Sequence, residues 1–425
     1  MLDLQVLRDS PDRIRSAIKT KGMGDVADVD TARALDVQHR KLLTELQQAQ
    51  ARSNTLSKKI GEKMRSGERE EAQQYIDESG ELKERIQELE AEVKDKADTL
   101  NRLLLDLPNP PHESVPVGAS PEENEVVYEE GDKPTFSFEA KPHWDLLEQH
   151  NLVDFERGAK VTGAGFPFYT GKGARLQRGL IHFFLDLARD RGYREIQPPL
   201  FVNEASATGT GQLPDKEDIM YEISRDGLFP IPTSEVPVTN FFRNEILPEE
   251  GLPAKYCAYS PCFRREAGSH GKDVRGLNRL HQFDKVELVQ FVKPEQSYDT
   301  LEAMRQDAEH PLKLLGLPYR RLLMCTGDMG FTQSKKYDLE VWSAGQKRWL
   351  EVSSISNFEA FQARRTQIRF HDSERGENRH VHTLNGSALA LPRVIAALIE
   401  NNQQEGGSIE LPSILHEYTG FKVIG

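Results

Sequence analysis

The 425-residue sequence predicts an α+β protein built as an N-terminal antiparallel coiled-coil arm followed by an antiparallel sheet flanked by helices. Three observations predict it. Residues from about 31 to 107 contain no proline, few glycines and a sustained seven-residue apolar rhythm. The stretch from Pro261 to Phe291 sets two apolar-alternating runs around a polar loop with Gly268, Gly271 and Gly276, as an antiparallel hairpin with a long connection does. Beyond about residue 176, helical runs alternate with strand pairs joined as hairpins rather than with regular strand–helix–strand repeats, which favours an antiparallel sheet.

The arm comes first. One apolar run reads Leu35, Leu42, Leu46, Ala49, Ser53, Leu56, Ile60 and Met64; the next reads Ala72, Ile76, Ser79, Leu82, Ile86, Leu89, Val93, Leu100 and Leu104. A break at Ser66-Gly67-Glu68 separates them, so two helices of about 35 residues fold back on each other and reach on the order of 50 Å. Pro108-Asn109-Pro110-Pro111 stops the second helix. The first helix carries eight Lys/Arg against three acids, and the second six against twelve. Opposite net charges favour their pairing and leave one basic flank. Ordinary cross-helix ion pairs account for that charge pattern as well as a polyanionic partner does. The expected division is 1–108 and 109–425.

Residues 111–142 are rich in Pro, Glu and Gly around a short strand pattern at Thr135–Phe138. The expected elements that follow are a helix over Leu176–Arg191 and a strand over Glu195–Val202. Strands over Tyr256–Arg264 and Asn278–Val292 come next, then a helix over Glu295–Leu315. Small residues at Asn385-Gly386-Ser387 lead into an apolar helical run ending at Glu400. No internal repeat is visible.

Chemistry concentrates in two places. Alternate strand residues share a face, so Phe283, Lys285 and Glu287 point one way and Asp284 and Val286 the other. An aromatic ring, a cation and a carboxylate, with Arg264 and Glu266 on the neighbouring strand, suit a nucleotide and an amine. A solvated edge hairpin with an aromatic plug is the plainer alternative. Arg393 is the only charge between Asn385 and Glu400, and an isolated guanidinium in an apolar helix needs an anion, either a protein carboxylate or a ligand phosphate. Thr233-Ser234-Glu235 reads as a helix start. The familiar nucleotide loops are missing: Gly171-Lys172-Gly173 lacks the spacing of a phosphate loop, and the 209–214 stretch fails the dinucleotide pattern.

The formal charge of -13 argues against an indiscriminate nucleic-acid binder, so any RNA contact must come from local basic patches. Cys257, Cys262 and Cys325 are too few and too scattered for a disulfide framework or a zinc site and are expected to be free thiols. The amino terminus lacks a signal-peptide pattern and no apolar run approaches membrane-spanning length, so a cytoplasmic location is expected.

Pro261–Phe291 and Asn385–Glu400 together resemble motifs 2 and 3 of the class II aminoacyl-tRNA synthetases, and Gly192–Pro199 resembles motif 1. Within that class the match narrows to the bacterial type of seryl-tRNA synthetase. It rests on Arg157-Gly158-Ala159-Lys160, Thr233-Ser234-Glu235, Phe263–Gly268, Phe283–Glu287, Glu351–Asn357 and Asn385-Gly386-Ser387, in family order. The resemblance implies ATP-dependent activation of L-serine and its transfer to serine tRNA and selenocysteine tRNA by a homodimer. It implies catalytic roles for Arg264, Glu351 and Arg393. ATP falls to Arg264, Arg265, Glu266, Phe283, Glu351, Val352, Ser353, Ser354 and Arg393, and magnesium to Glu351 and Ser354. Serine falls to Thr233, Ser234, Glu235, Arg264, Glu287, Asn385 and Ser387, with Glu287 on the α-ammonium. Arg52, Lys58, Lys59, Lys272 and Arg275 are expected to touch tRNA; His270 and His281 are not expected to act as acid or base. Two rivals remain at this level. A ligase loading a carrier protein lacks the long arm, and a coiled-coil interaction protein with a dead body has no reason to keep Arg264, Glu351 and Arg393.

Overall fold

The computed structural model describes residues 1–215, 218–266 and 275–425. The chain divides into two compact units, Met1–Pro108 and Asn109–Gly425.

In the first unit, short helices Leu4–Asp9 and Pro11–Lys21 precede α1 (Val26–Ser66) and α2 (Arg69–Asp106). α1 starts five residues before the expected position because Asp25 caps it, its side chain accepting from the Ala27 N–H. Its 41 residues extend about 60 Å. Gly67, at φ 83°, ends α1 in the left-handed conformation that permits the tight reversal. Leu46, Leu56, Ala72, Leu89, Leu100 and Leu104 are buried along the seam, whereas Met64 and Ile76 stay exposed. Near the tip only one partner helix covers each face; at the base a cluster with Leu2, Leu7, Ile14 and Ile18 adds cover.

The second unit is organised by eight strands: β1 (Glu125–Glu130), β2 (Arg194–Glu195), β3 (Ala254–Phe263), β4 (Gln282–Val292), β5 (Tyr319–Leu323), β6 (Lys335–Ser343), β7 (Arg348–Asn357) and β8 (His382–Ala390). They lie in the order β1-β5-β6-β7-β8-β4-β3-β2. Every neighbouring pair is antiparallel except β2–β3. Helices α3 (Gly171–Asp190), α4 (Ser297–Leu314) and α5 (Leu391–Asn401) share one large core with Val286, Leu288, Val352 and Ile355 of the sheet. Val289 and Phe291, of the opposite parity on β4, enter a second cluster with Tyr256 and Ala258. Lys285 and Glu287 are in phase with that second set, so they stand on the face away from the large core.

Several boundaries differ from expectation. The 195–202 run breaks into two short strands, Arg194–Glu195 and Phe201–Asn203, in different sheets, because Pro198 and Pro199 cannot donate to a ladder. β4 begins at Gln282 rather than Asn278, and residues 278–281 form the foot of the loop. Thr135–Phe138 is not a strand; the strand of that passage is β1, on the sheet edge. α3 begins at Gly171, and Gly173 serves close packing, since a Cβ there would stand 2.1 Å from the Leu152 carbonyl oxygen. Asn385-Gly386-Ser387 lie inside β8, and the helix starts only at Leu391.

Candidate active site

Two bulges shape the face that carries the polar residues. Between β6 and β7, Leu339 pairs with Ser353 and Glu340 with Glu351, so β7 holds one residue more than its partner. The extra residue changes the phase of the strand: Leu350, Val352 and Ile355 all enter the core. Glu351 and Ser354, three apart, therefore share the other face. Between β8 and β4, Ser387 pairs with Glu287 and Ala390 with Lys285, a second bulge that brings the end of β8 over Lys285 and into α5.

The predicted amine side is a buried network. Lys285 Nζ lies 2.5 Å from Glu287 Oε2 and donates to the Thr233 hydroxyl at 2.8 Å. The Ser387 hydroxyl donates to the same Glu287 oxygen at 3.2 Å. Thr233 also accepts from the Glu235 N–H at 3.1 Å, so it both holds the first turn of the short helix Glu235–Thr239 and faces the network. Ser234, the N-cap residue, makes no side-chain capping bond and turns inward to the Ser260 hydroxyl at 2.6 Å. Burial, and next the charge of Glu287, push the Glu235 carboxyl up to about 7. Asn385 is close enough to favour its ionised form, yet the buried Asn385 amide nitrogen makes no hydrogen bond of normal geometry. An orphan donor beside a carboxylate is the complement of a hydroxyl group.

The predicted nucleotide side lies on the same face. The Arg264 guanidinium sits 5.2 Å from the Phe283 ring centroid, and its Nε donates to the Pro232 carbonyl at 3.3 Å. Arg393 donates to the backbone carbonyls of Asn278 at 2.8 Å and Glu351 at 2.9 Å, and stands 3.9 Å from the Glu351 carboxylate. It thus meets protein acceptors, while 28% of its side chain stays exposed. Burial works against ionisation of Glu351, but Arg393, then Lys336, Arg264 and Arg279 outweigh it and hold its carboxyl below the usual range. Two guanidiniums 129 positions apart in the chain therefore act on one carboxylate. Glu266 is engaged by Arg279 at 2.6 Å, and Arg265 by Asp218 at 3.2 Å. Val352 is packed in the core, and the Ser353 hydroxyl bonds the Ser387 carbonyl at 2.5 Å, so neither of these predicted ATP residues offers its side chain to the cleft.

Among the described residues no three His, Cys, Asp or Glu side chains gather to hold a metal ion. Ser354 stands opposite Asp338 across the β6–β7 pair, and one buried oxygen of Asp338 has no hydrogen-bond partner. Burial raises the Asp338 carboxyl, Lys336 opposes that, and the Glu351 charge adds to it. Two carboxylates, one of them with an orphan oxygen, and a hydroxyl fit a hard divalent cation that keeps several waters and phosphate oxygens.

Of the predicted RNA residues, Arg52 is paired with Glu78 of the facing helix at 2.6 Å, and Lys59 lies 5.4 Å from the Tyr75 ring centroid. Lys58 is exposed. Arg275 packs over Trp144 at 4.6 Å and lies 3.8 Å from Asp145. Lys272 and His270 lie outside the described residues. Sequence reasoning missed Asp338, Lys336 and Gln362 as neighbours of the site. Asp338 alternates in phase with Lys336 and Glu340, a pattern visible in the sequence, but its partner strand is set only by the fold.

An antiparallel sheet with an arginine at the end of one central strand, an acid on another and a second arginine opening the following helix defines a class II aminoacyl-tRNA synthetase. Residues 221–402 match the family model described as the tRNA synthetase class II core domain (G, H, P, S and T), and residues 1–111 match the seryl-tRNA synthetase N-terminal domain. The chain belongs to the seryl-tRNA synthetase family, the serine–tRNA ligases. It is 61% identical to serine–tRNA ligase of Salinibacter ruber over 100% of this chain and 99% of the relative. To that of Bacillus subtilis it is 49% identical over 99% and 98%. The seryl-tRNA synthetase from Pyrococcus horikoshii complexed with ATP superposes with a TM-score of 0.93 at 36% identity, covering 100% of this chain and 99% of that one. The cytoplasmic serine–tRNA ligase of Naegleria fowleri in complex with AMP gives 0.88 at 28%, covering 100% and 98%.

Proposed function

We propose that this chain activates L-serine with ATP to seryl-adenylate and transfers the seryl group to serine tRNA and selenocysteine tRNA. The observation that carries the reading is the placement of Arg264 and Arg393 around Glu351, on the same sheet face as the Thr233–Lys285–Glu287 network. The ATP and AMP complexes of the two related synthetases support it. A serine carboxylate oxygen attacks the α-phosphorus of ATP, and the bond to pyrophosphate breaks. Arg264 takes the α-phosphate, where charge builds, and Arg393 the γ-phosphate. Phe283 stacks the adenine, which requires the guanidinium now over that ring to move onto phosphate or the base to use the opposite face. Glu266 takes the adenine edge. Glu287, with both its protein bonds on Oε2, takes the α-ammonium on Oε1. Glu235 and Asn385 take the serine hydroxyl. Glu351 and Ser354, with Asp338 behind them, would hold magnesium, which when bound offsets phosphate charge. The terminal ribose hydroxyl of the tRNA then attacks the adenylate carbonyl and AMP leaves; no protein nucleophile is needed.

Residues 1–108 serve as the tRNA-binding domain and 109–425 as the catalytic one. Lys58 and Lys59 are the phosphate contacts the arm offers most freely, with Arg52, Lys272 and Arg275 completing the set. The working form is a homodimer in the cytoplasm; no described helix is long and apolar enough to cross a membrane. The test is amino-acid-dependent pyrophosphate exchange over serine, threonine, alanine and glycine. Serine alone is expected to support fast exchange; equal rates for alanine or none for serine would overturn the reading.

A further inference from the structure

Gln362 lies on the short helix Phe361–Thr366 and is fully buried. Its Nε2 donates to the Thr210 carbonyl at 3.2 Å and to Glu235 Oε1 at 2.7 Å, and its Oε1 accepts from the Thr383 hydroxyl at 2.7 Å. The amide cannot be turned over, because a carbonyl accepts and never donates, so the nitrogen must face Thr210 and with it Glu235. Thr383, on β8 two residues before Asn385, fixes the other end of the amide. One oxygen of Glu235 is therefore held at a set position and only the other remains for a ligand. We propose that Gln362 and Thr383 are positioning residues for serine selection: the Thr383–Gln362–Glu235 chain fixes the carboxylate that receives the substrate hydroxyl, so that a substrate lacking that hydroxyl leaves a rigid acceptor unpaired. This rests on Glu235 belonging to the serine pocket.

The argument is one of mobility. A carboxylate free to rotate can turn to water or to Lys285 when no hydroxyl arrives, and discrimination falls; a carboxylate pinned at one oxygen cannot. The Gln362→Met variant keeps the volume and removes both polar ends, Thr383→Val removes the hydroxyl, and Thr383→Ser keeps it. In serine-dependent pyrophosphate exchange, Gln362→Met and Thr383→Val are expected to raise KM for serine about tenfold, the loss of one hydrogen bond to a charged group. KM for ATP is expected to stay within about twofold, and Thr383→Ser to restore the serine KM. An unchanged serine KM in these variants, or equal changes in both KM values that Thr383→Ser does not reverse, overturns the proposal. Where Gln362→Met fails to fold, the Thr383 pair decides alone. Glu235→Ala is the control: if it too leaves serine KM unchanged, the pocket reading itself has failed; if it raises KM while the Gln362 and Thr383 variants do not, only the positioning role has.

Discussion

Glu351 and Ser354 share one face of β7 although they are three residues apart, because the bulge opposite Leu339–Glu340 inserts one residue between them. A regular strand would send Ser354 into the core and Ile355 into the cleft. The pairing of Ser354 with Asp338, and of Glu351 with Arg393, depends on that inserted residue. Ser353, at the bulge, bonds the Ser387 carbonyl and ties β7 to β8 at this point.

Replacing Glu351 by Ala is expected to lower serine-dependent pyrophosphate exchange by a factor on the order of 10² or more, the scale of losing one preorganised charge in a site. Its side chain is 48% exposed and outside the core, so the variant is expected to stay folded. Exchange at the parent rate would remove Glu351 from the site.

The serine side carries a pH signature. Burial and Glu287 raise the Glu235 carboxyl to about 7. The free protein therefore holds it mostly protonated below that pH and mostly ionised above. If the ionised form receives the serine hydroxyl, kcat/KM for serine rises as pH passes upward through about 7. Glu235→Gln is expected to lose that limb together with activity. A limb that persists in Glu235→Gln belongs to another group.

In the arm, Lys58→Glu with Lys59→Glu is expected to weaken tRNA binding and to reduce the slope of log affinity against log salt by about one to two units. Arg52→Glu is the less clean probe, since it also sets two acids against each other at Glu78. A slope identical to the parent's in the lysine pair would mean that this flank does not meet RNA.

Leu56 and Leu89 are almost fully buried in the seam of α1 and α2. Truncating either to Ala is expected to destabilise the arm by about 2–4 kcal/mol. Pyrophosphate exchange is expected to be unaffected, because every residue proposed for adenylate formation lies in 109–425. Loss of exchange would show that the arm's packing is needed for the first step.

The arm was legible in the sequence because its signals are local: the heptad rhythm, Gly67 and Pro108 fix both helices within a few residues. The β3–β4 hairpin was legible for the same reason, and the parity of Lys285 and Glu287 follows from period two, whereas Phe283 near the start of β4 also packs against the large core. What stayed hidden was non-local. Nothing near Gln362 announces that its amide meets Glu235, 127 positions away. Asp338 gains meaning only when β6 pairs with β7. Thr135–Phe138 shows the opposite failure, an alternating aromatic pattern whose two rings pack on each other at 5.0 Å without entering a strand. Both bulges were invisible as well, since a bulge is defined by the residue count of the partner strand.

Serine-dependent ATP–pyrophosphate exchange, measured side by side for the parent, Arg264→Ala and Arg393→Ala, bears most directly on the convergence of two distant cations upon one nucleotide. Each substitution is expected to abolish exchange while leaving the melting curve in place. Exchange surviving at the parent rate in either variant would contradict the account.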